Sequence, residues 1–205
     1  MLRAIKDFTS SVGTSITVLS HGKIALNPQM ASAIRNGLDV KNPEAFLVVN
    51  IGKHTTDIVV IKKKRILSLH SISISMGNFI EDVILYIGCI HNMRINEPVA
   101  ERILAAVGAV LPELTDAPKA CTVVGPNKLT ALPMQIKVSH EEISHCLRLD
   151  MDKLSRFIQR VIEAMPLDWQ GQIFRQGIFF IGAGTILRGL DTHFETTLNI
   201  PCHTM

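Results

Sequence analysis

The sequence is poor in aromatic residues and lacks long apolar runs, and both absences exclude classes of protein. Aromatic side chains make up 5% of the 205 residues. None of them alternates with the basic run Lys62-Lys63-Lys64-Arg65, so base stacking on a nucleic acid is not expected. No apolar stretch approaches the roughly 20 residues that cross a bilayer, and residues 1–8 contain no apolar signal core. We therefore expect a cytoplasmic protein without a nucleic-acid partner and without direct membrane insertion.

Residue spacings typical of metal or redox sites are also missing. No Cys-x-x-Cys pair occurs, so reduced, unpaired thiols are expected. The histidines of the segment His140 to His145 are five positions apart and do not share a helix face. Ser139 followed by Glu142 instead predicts a capping box that opens a helix. The sequence thus predicts no metal site.

What the sequence does contain is enough apolar residues for a sizeable core. The composition is 47% hydrophobic and 19% charged with a net charge of +3, which excludes intrinsic disorder. Apolar runs and helical spacing predict an α/β fold. We expect an antiparallel meander of three strands in one mixed sheet with residues 177–181, and a mostly helical unit over 75–170. Strands are predicted at 15–19, 46–51, 56–62, 65–74, 119–124, 134–138 and 177–181, and helices at 2–12, 29–37, 78–90, 99–110 and 139–165 and from Thr185.

Two glycine-containing turns, each after an apolar run, are the main functional signal. One spans Asn50 to Asp57, and the other begins at Ile181 and continues to Asp191. Such turns can present backbone N–H groups to an anion, so together they suggest a clamp for nucleotide phosphates. Lys53 and His54 stand where a phosphate loop usually has glycine. A plain hairpin and a tight strand-to-helix turn without ligand are the structural alternatives.

Four segments, in order, resemble the MreB family of bacterial actin-like rod-shape proteins, within the actin/Hsp70/sugar-kinase superfamily. Met30–Ile34 resembles the family's M-A-A-A-I helix, and Val48–Asp57 its second phosphate loop. Ala100–Ile103 with Gly108 is similar to the segment that reaches ribose and base, and Arg175–Asp191 to the adenosine loop. The resemblance implies a mixed sheet of the actin and ribonuclease-H type with an inserted, mostly helical subdomain.

The resemblance also implies a site for ATP and Mg²⁺. The residues that it places at the nucleotide are Asn50, Gly52, Lys53, His54, Thr55, Thr56, Glu101, Gly182, Ala183 and Gly184. Asn50 stands where the family has an aspartate that orients metal-bound water, and residues 26–29 contain no carboxylate where the family has its catalytic glutamate. No catalytic residue or metal ligand is therefore carried over. We expect weak or absent ATP binding and loss of the family's ATPase activity.

The resemblance implies the second lobe of the family's fold, with most of the first lobe expected to be missing. Residues 1–40 would be a remnant of the first lobe and a connecting helix, 41–75 and 171–205 a core like subdomain IIA, and 76–170 an insertion like subdomain IIB. The expected function is that of a divergent or truncated MreB-like cytoskeletal protein in cell-shape determination. Its expected partner is a full-length actin-like filament or a second copy of itself. A working, filament-forming ATPase and a non-functional remnant stay open as alternatives.

Overall fold

A computed structural model of the chain describes residues 16–17, 44–63 and 65–205. The helices expected at 2–12 and 29–37, and most of the strand expected at 15–19, lie outside the described residues. The described strands are β1 (Ile16–Thr17), β2 (Phe46–Ile51), β3 (Thr56–Lys62), β4 (Arg65–Ile72), β5 (Cys121–Pro126), β6 (Pro133–Val138), β7 (Ile178–Gly182) and β8 (Cys202–Thr204). The described helices are α1 (Met76–Ile90), α2 (Glu97–Val107), α3 (His140–Glu163), α4 (Leu167–Gln176) and α5 (Leu190–Leu198).

Six strands form one mixed sheet in the order β1-β4-β3-β2-β7-β8. Strands β2, β3 and β4 are the antiparallel meander that the sequence predicts. Strand β2 also pairs with β7 in parallel, which confirms the prediction that both lie in one sheet. Every residue of β2 is buried, which explains its continuous apolar run, because a strand covered on both faces has no need for alternation.

The five described helices pack on one face of this sheet. Alternate residues of β2, namely Leu47, Val49 and Ile51, join a core that includes apolar residues of all five helices. The intervening residues, such as Phe46 and Val48, belong to a smaller apolar cluster on the opposite face. Strands β5 and β6 form a separate antiparallel hairpin. The result is an α/β architecture with a mixed sheet, as the sequence predicts.

The sequence places the ends of α1, α2 and α3 to within three residues. The capping box at the start of α3 is present, because Ser139 and Glu142 exchange side-chain and backbone hydrogen bonds. Pro98 lies in the first turn of α2, as expected. All four cysteines are free. Among the described residues, no helix is long and apolar enough to cross a membrane.

Three features of the C-terminal third differ from the sequence-based expectation. The helix expected from Thr185 is wrong: a 3-10 turn covers Ala183–Ile186, and α5 begins only at Leu190. Helix α4 and strand β8 were not predicted. Helix α4 has ten residues and buries only Ile173, so no extended set of core residues marks it. Strand β8 has only three residues at the edge of the sheet, which is too short for an apolar pattern.

Candidate functional site

The two glycine turns lie side by side at one edge of the sheet. Strands β2 and β7 are parallel neighbours, and their register pairs Asn50 with Ile181 and Ile51 with Gly182. Both strands therefore end at the same edge, each in its glycine turn. Ligands of open α/β sheets bind outside the carboxyl ends of such strands. The sheet thus brings together two motifs that are distant in sequence.

Glycine is required at two positions of the second turn. Gly182 has a φ of +91°, and a Cβ there would overlap Oδ1 of Asn50 and lie 2.6 Å from the carbonyl oxygen of Ile51. A Cβ at Gly184 would lie 2.5 Å from the side chain of Ile51. The turn is closed by the hydroxyl of Thr185, which donates to the carbonyl of Gly182 at 2.9 Å. The second turn is therefore held directly against the end of β2.

Asn50 is the buried polar residue at this junction. It is 1% exposed, and its Oδ1 atom accepts no hydrogen bond from the described part of the chain. A buried acceptor without a donor costs free energy, and the atom faces the start of the second turn. An amide at this position cannot supply the negative charge that a carboxylate would give.

The first turn is a tight hairpin attached to the start of α1. The N–H of Gly52 donates to the carbonyl of Thr55 at 2.9 Å, and the carbonyls of Gly52 and Lys53 accept from Met76 and Gly77 at 3.0 and 2.9 Å. These bonds fix the backbone of Lys53 relative to the first turn of α1. The plain-hairpin alternative thus describes the backbone of this loop correctly.

The remaining polar residues of the first motif have structural partners. The hydroxyl of buried Thr56 donates to the carbonyl of Ile74 at 2.6 Å. Asp57 accepts from the hydroxyl of Ser71 at 2.5 Å. His54 and Thr55 are exposed at the tip of the hairpin. Neither residue lines the cavity described below.

Helix α2 carries Glu101 and is tied to the second turn. Its C-terminal Gly108 accepts from the N–H of Arg188 at 3.0 Å, and the carbonyl of Arg188 accepts from Val110 at 3.0 Å. The guanidinium of Arg188 also donates to the carbonyl of Ala106 at 3.2 Å. At its other end, α2 is capped by the side chain of Asn96. These contacts hold α2 in place opposite β7.

A cavity of about 530 Å³ lies between α1, α2 and the two turns. Four of the predicted site residues line it: Lys53, Glu101, Gly182 and Ala183. Asn50, Gly52, Thr56 and Gly184 do not reach its wall. Six further lining residues were missed from the sequence, namely Met76, Ile80, Leu104, Ala105, Thr185 and Ile186. Several of these belong to apolar helix faces, and such a face has the same spacing whether it packs into a core or lines a cavity.

The charged residues at the cavity form one ion pair. Lys53 Nζ lies 3.5 Å from Oε1 of Glu97, and both side chains are more than half exposed. Glu101 lies one helical turn beyond Glu97 on α2. Another cavity, of about 470 Å³, lies between residues 72–74 and α3. None of the predicted site residues lines that second cavity.

The size and the walls of the first cavity are those of a small-molecule site. Its volume is within the range of small-molecule sites, about 300–1,000 Å³, and its walls combine apolar side chains with the backbone of a glycine turn. No group of three or more His, Cys, Asp or Glu side chains among the described residues is placed to hold a metal ion. Asn50 places a buried amide, not a carboxylate, at the end of β2.

Comparison with known proteins identifies the family. The family model described as "MreB/Mbl protein" matches residues 2–205. The chain is 28% identical to the cell shape-determining protein Mbl of Bacillus subtilis over 97% of its own length and 57% of the relative. It is 27% identical to the cell shape-determining protein MreB of Escherichia coli over 97% of its length and 55% of the relative. The chain thus spans just over half the length of these relatives.

Solved structures agree with this assignment. MreB5 of Spiroplasma citri bound to AMPPNP superposes with a TM-score of 0.79 and 26% identity, over 84% of this chain and 51% of that one. The ADP-bound crystal structure of MreB5 gives a TM-score of 0.82 at 24% identity, over 99% and 59% of the two chains. The second likeness establishes the fold alone. With the family model matching nearly every residue, the chain belongs to the MreB/Mbl family of actin-like proteins.

Proposed function

We propose that this chain is an MreB-like cytoskeletal protein of cell-shape determination that works in the cytoplasm. The curated relatives that it matches are cell shape-determining proteins, and a double-helical filament of MamK shares the fold at a TM-score of 0.62 and 18% identity. In this proposal, the described residues act as a IIA- and IIB-like lobe that associates with an actin-like filament. The chain would bind an adenine nucleotide weakly and would not hydrolyse it.

The observation that carries the nucleotide part of the proposal is the cavity between the two turns. It brings Glu101 of α2 together with the glycine turn at Gly182 and Ala183 and with Lys53 of the hairpin. Glu101 would accept a hydrogen bond from a ribose hydroxyl, and the turn would pack against the base. Two MreB5 structures of this fold were solved with AMPPNP and ADP.

Weak binding without hydrolysis follows from what the described residues lack. Phosphoryl transfer depends on positioned charges around the phosphates and the attacking water. Asn50 offers an uncharged amide at the end of β2, and no metal-binding cluster is present among the described side chains. Each lost charge-assisted contact costs roughly 1.5–3 kcal/mol. Two losses would weaken binding by roughly two to four powers of ten.

Calorimetric titration with ATP and Mg²⁺, together with a phosphate-release assay, tests the nucleotide part of the proposal. We expect a dissociation constant far above micromolar and no phosphate release. Glu101→Gln should weaken any binding further, whereas Glu113→Gln, in an exposed loop, should leave it unchanged. Micromolar binding with turnover that Glu101→Gln abolishes would instead support the filament-forming ATPase alternative.

A further inference from the structure

Lys53 lies at the rim of the cavity, on a backbone that hydrogen bonds hold in place. Its backbone is clamped by the bond from the N–H of Gly77 to its carbonyl at 2.9 Å, and its side chain lines the cavity. In the sequence it replaces a glycine of the motif that the family uses as a phosphate loop. The hairpin therefore places an ammonium group at the edge of the cavity where the two glycine turns meet.

Among the described residues that line this cavity, Lys53 has the only cationic side chain. The charges nearest to it on α2 are negative: Glu97, which pairs with it, and Glu101, which lines the cavity with it. The described residues contain no metal-binding cluster that would add positive charge. Within the described part of the cavity wall, the ammonium group of Lys53 is the positively charged partner that an entering phosphate would meet.

The present partner of Lys53 is easily displaced. Its ion pair with Glu97 is 3.5 Å long and both side chains are more than half exposed, and such surface pairs contribute little to stability. A hydrogen bond from an ammonium group to a phosphate oxygen is stronger, because both groups carry full charge. Glu97 thus holds the lysine near the cavity without preventing it from binding an anion.

We propose that the ammonium group of Lys53 takes the place of a divalent cation, so that this cavity binds the phosphates of ADP without Mg²⁺. The inference rests on the nucleotide binding of the proposed function and specifies its ligand. Because one lysine offsets one negative charge and two glutamates lie nearby, ADP binds more tightly than ATP when no metal is present. Mg²⁺ competes with the ammonium group of Lys53 for the same phosphate oxygens, so the metal gives no gain in affinity.

Calorimetric titration of ADP into the 205-residue chain, in EDTA and separately in MgCl₂, is the test. We expect a dissociation constant in EDTA that is equal to or lower than that in MgCl₂. Lys53→Ala should weaken binding in EDTA about 10-fold or more, and Glu97→Gln should strengthen it a few-fold because the competing carboxylate is gone. Lys137→Ala removes an exposed lysine of β6 and is the matched control, expected to bind as the parent chain does.

The outcomes separate this inference from the proposed function. Binding that requires Mg²⁺ would overturn the role of Lys53 and leave nucleotide binding intact. Metal-free binding that Lys53→Ala does not weaken would also overturn it. No binding of ADP in either buffer, in a protein that still co-sediments with MreB filaments, would overturn both the inference and the nucleotide part of the proposed function, but not the cytoskeletal part. Circular dichroism melts of each variant verify that the fold is retained.

Discussion

At the scale of single residues, Gly182 is a position where both the fold and the candidate site require glycine. Its φ of +91° and ψ of −170° lie in a region that only glycine occupies readily, and a Cβ would overlap Asn50. We expect Gly182→Ala to lower the free energy of unfolding by about 3 kcal/mol, measured by urea denaturation. Gly171→Ala, in helix α4 with open space around its Cβ, should stabilise by about 0.5–1 kcal/mol. Equal effects of the two variants would contradict this explanation.

Asp82 on α1 should make stability depend on pH. Burial, followed by the charge and hydrogen bond of Asp150 on α3, raises the pKa of Asp82 from 3.8 to about 6. The folded state holds this proton more tightly, so the stability that it contributes is present at low pH and is lost as pH rises from about 4 to about 6. Lys153, paired with Asp150 at 2.7 Å, acts in the opposite direction on the pKa of Asp82.

Asp82→Asn should remove this pH dependence. Because the carboxyl is only partly buried, we expect the variant to be more stable than the parent at pH 7.5 by about 1 kcal/mol and to lose that advantage at pH 4. Urea denaturation at both pH values measures the difference. Glu113→Gln, in an exposed loop and not among the charges that shift the pKa of Asp82, is the control. A parent chain whose stability rises between pH 4 and 6 relative to Asp82→Asn would refute the assignment.

The candidate site also illustrates at residue scale what a sequence can predict. Lys53, Glu101, Gly182 and Ala183 were identified because each lies in a recognisable motif, and the cavity brings them together. Met76 and Ile80 were not identified, because they are only 9% and 5% exposed and have the apolar spacing of ordinary core residues of α1. The accepting atom of Asn50 without a donor could not be predicted either, since it depends on the close approach of Gly182.

At the scale of secondary-structure elements, the sequence predicts the strands and helices whose buried residues form a regular apolar pattern. Strands β2 and β3 were placed correctly because continuous apolar runs mark them. The helix expected at Thr185 was wrong because Arg188 bonds to Gly108 and forms a bridge with Ala109. These long-range bonds keep Leu187 and Arg188 extended after the 3-10 turn, until the left-handed Gly189 allows α5 to begin. Contacts between distant segments, which no local pattern encodes, decided that boundary.

The junction between α1 and α3 depends on one glutamate that serves two elements. Glu142 accepts the N–H of Ser139 at 2.9 Å in the capping box and lies 2.8 Å from Nε2 of His91, the C-cap of α1. The hydroxyl of Ser139 accepts the N–H of Glu142 in the longer capping contact, at 3.4 Å, and also bonds the side chain of Glu141. We expect Glu142→Ala to cost about 2 kcal/mol and Ser139→Ala about 1 kcal/mol or less. Thermal melts of both variants and of His91→Ala compare them, and equal losses for Glu142→Ala and Ser139→Ala would show that the His91 contact adds nothing.

At the scale of the whole molecule, the question is which surfaces this chain brings to a filament. Head-to-tail assembly is heterologous, so an open filament grows only when both complementary surfaces are present on each subunit. The chain spans just over half the length of the Mbl and MreB relatives that it matches. A lobe with one of the two surfaces would add to the end or side of an existing filament without extending it.

We also expect the face that would contact the first lobe to be more apolar than ordinary surface. Such a face marks either a partner site or a tendency to aggregate.

Sedimentation distinguishes these behaviours for the 205-residue chain. Alone, the chain should stay in the supernatant with or without ATP. If the chain acts as the proposed single lobe, it should pellet with filaments of a full-length MreB and shorten them at increasing ratios, because a subunit that offers one surface ends growth. The Lys53→Ala variant should pellet to the same extent as the parent chain, since the predicted contact does not depend on bound nucleotide. Robust ATP-dependent pelleting of this chain by itself would show that it carries both surfaces, and would replace the proposal with a polymerising actin-like ATPase.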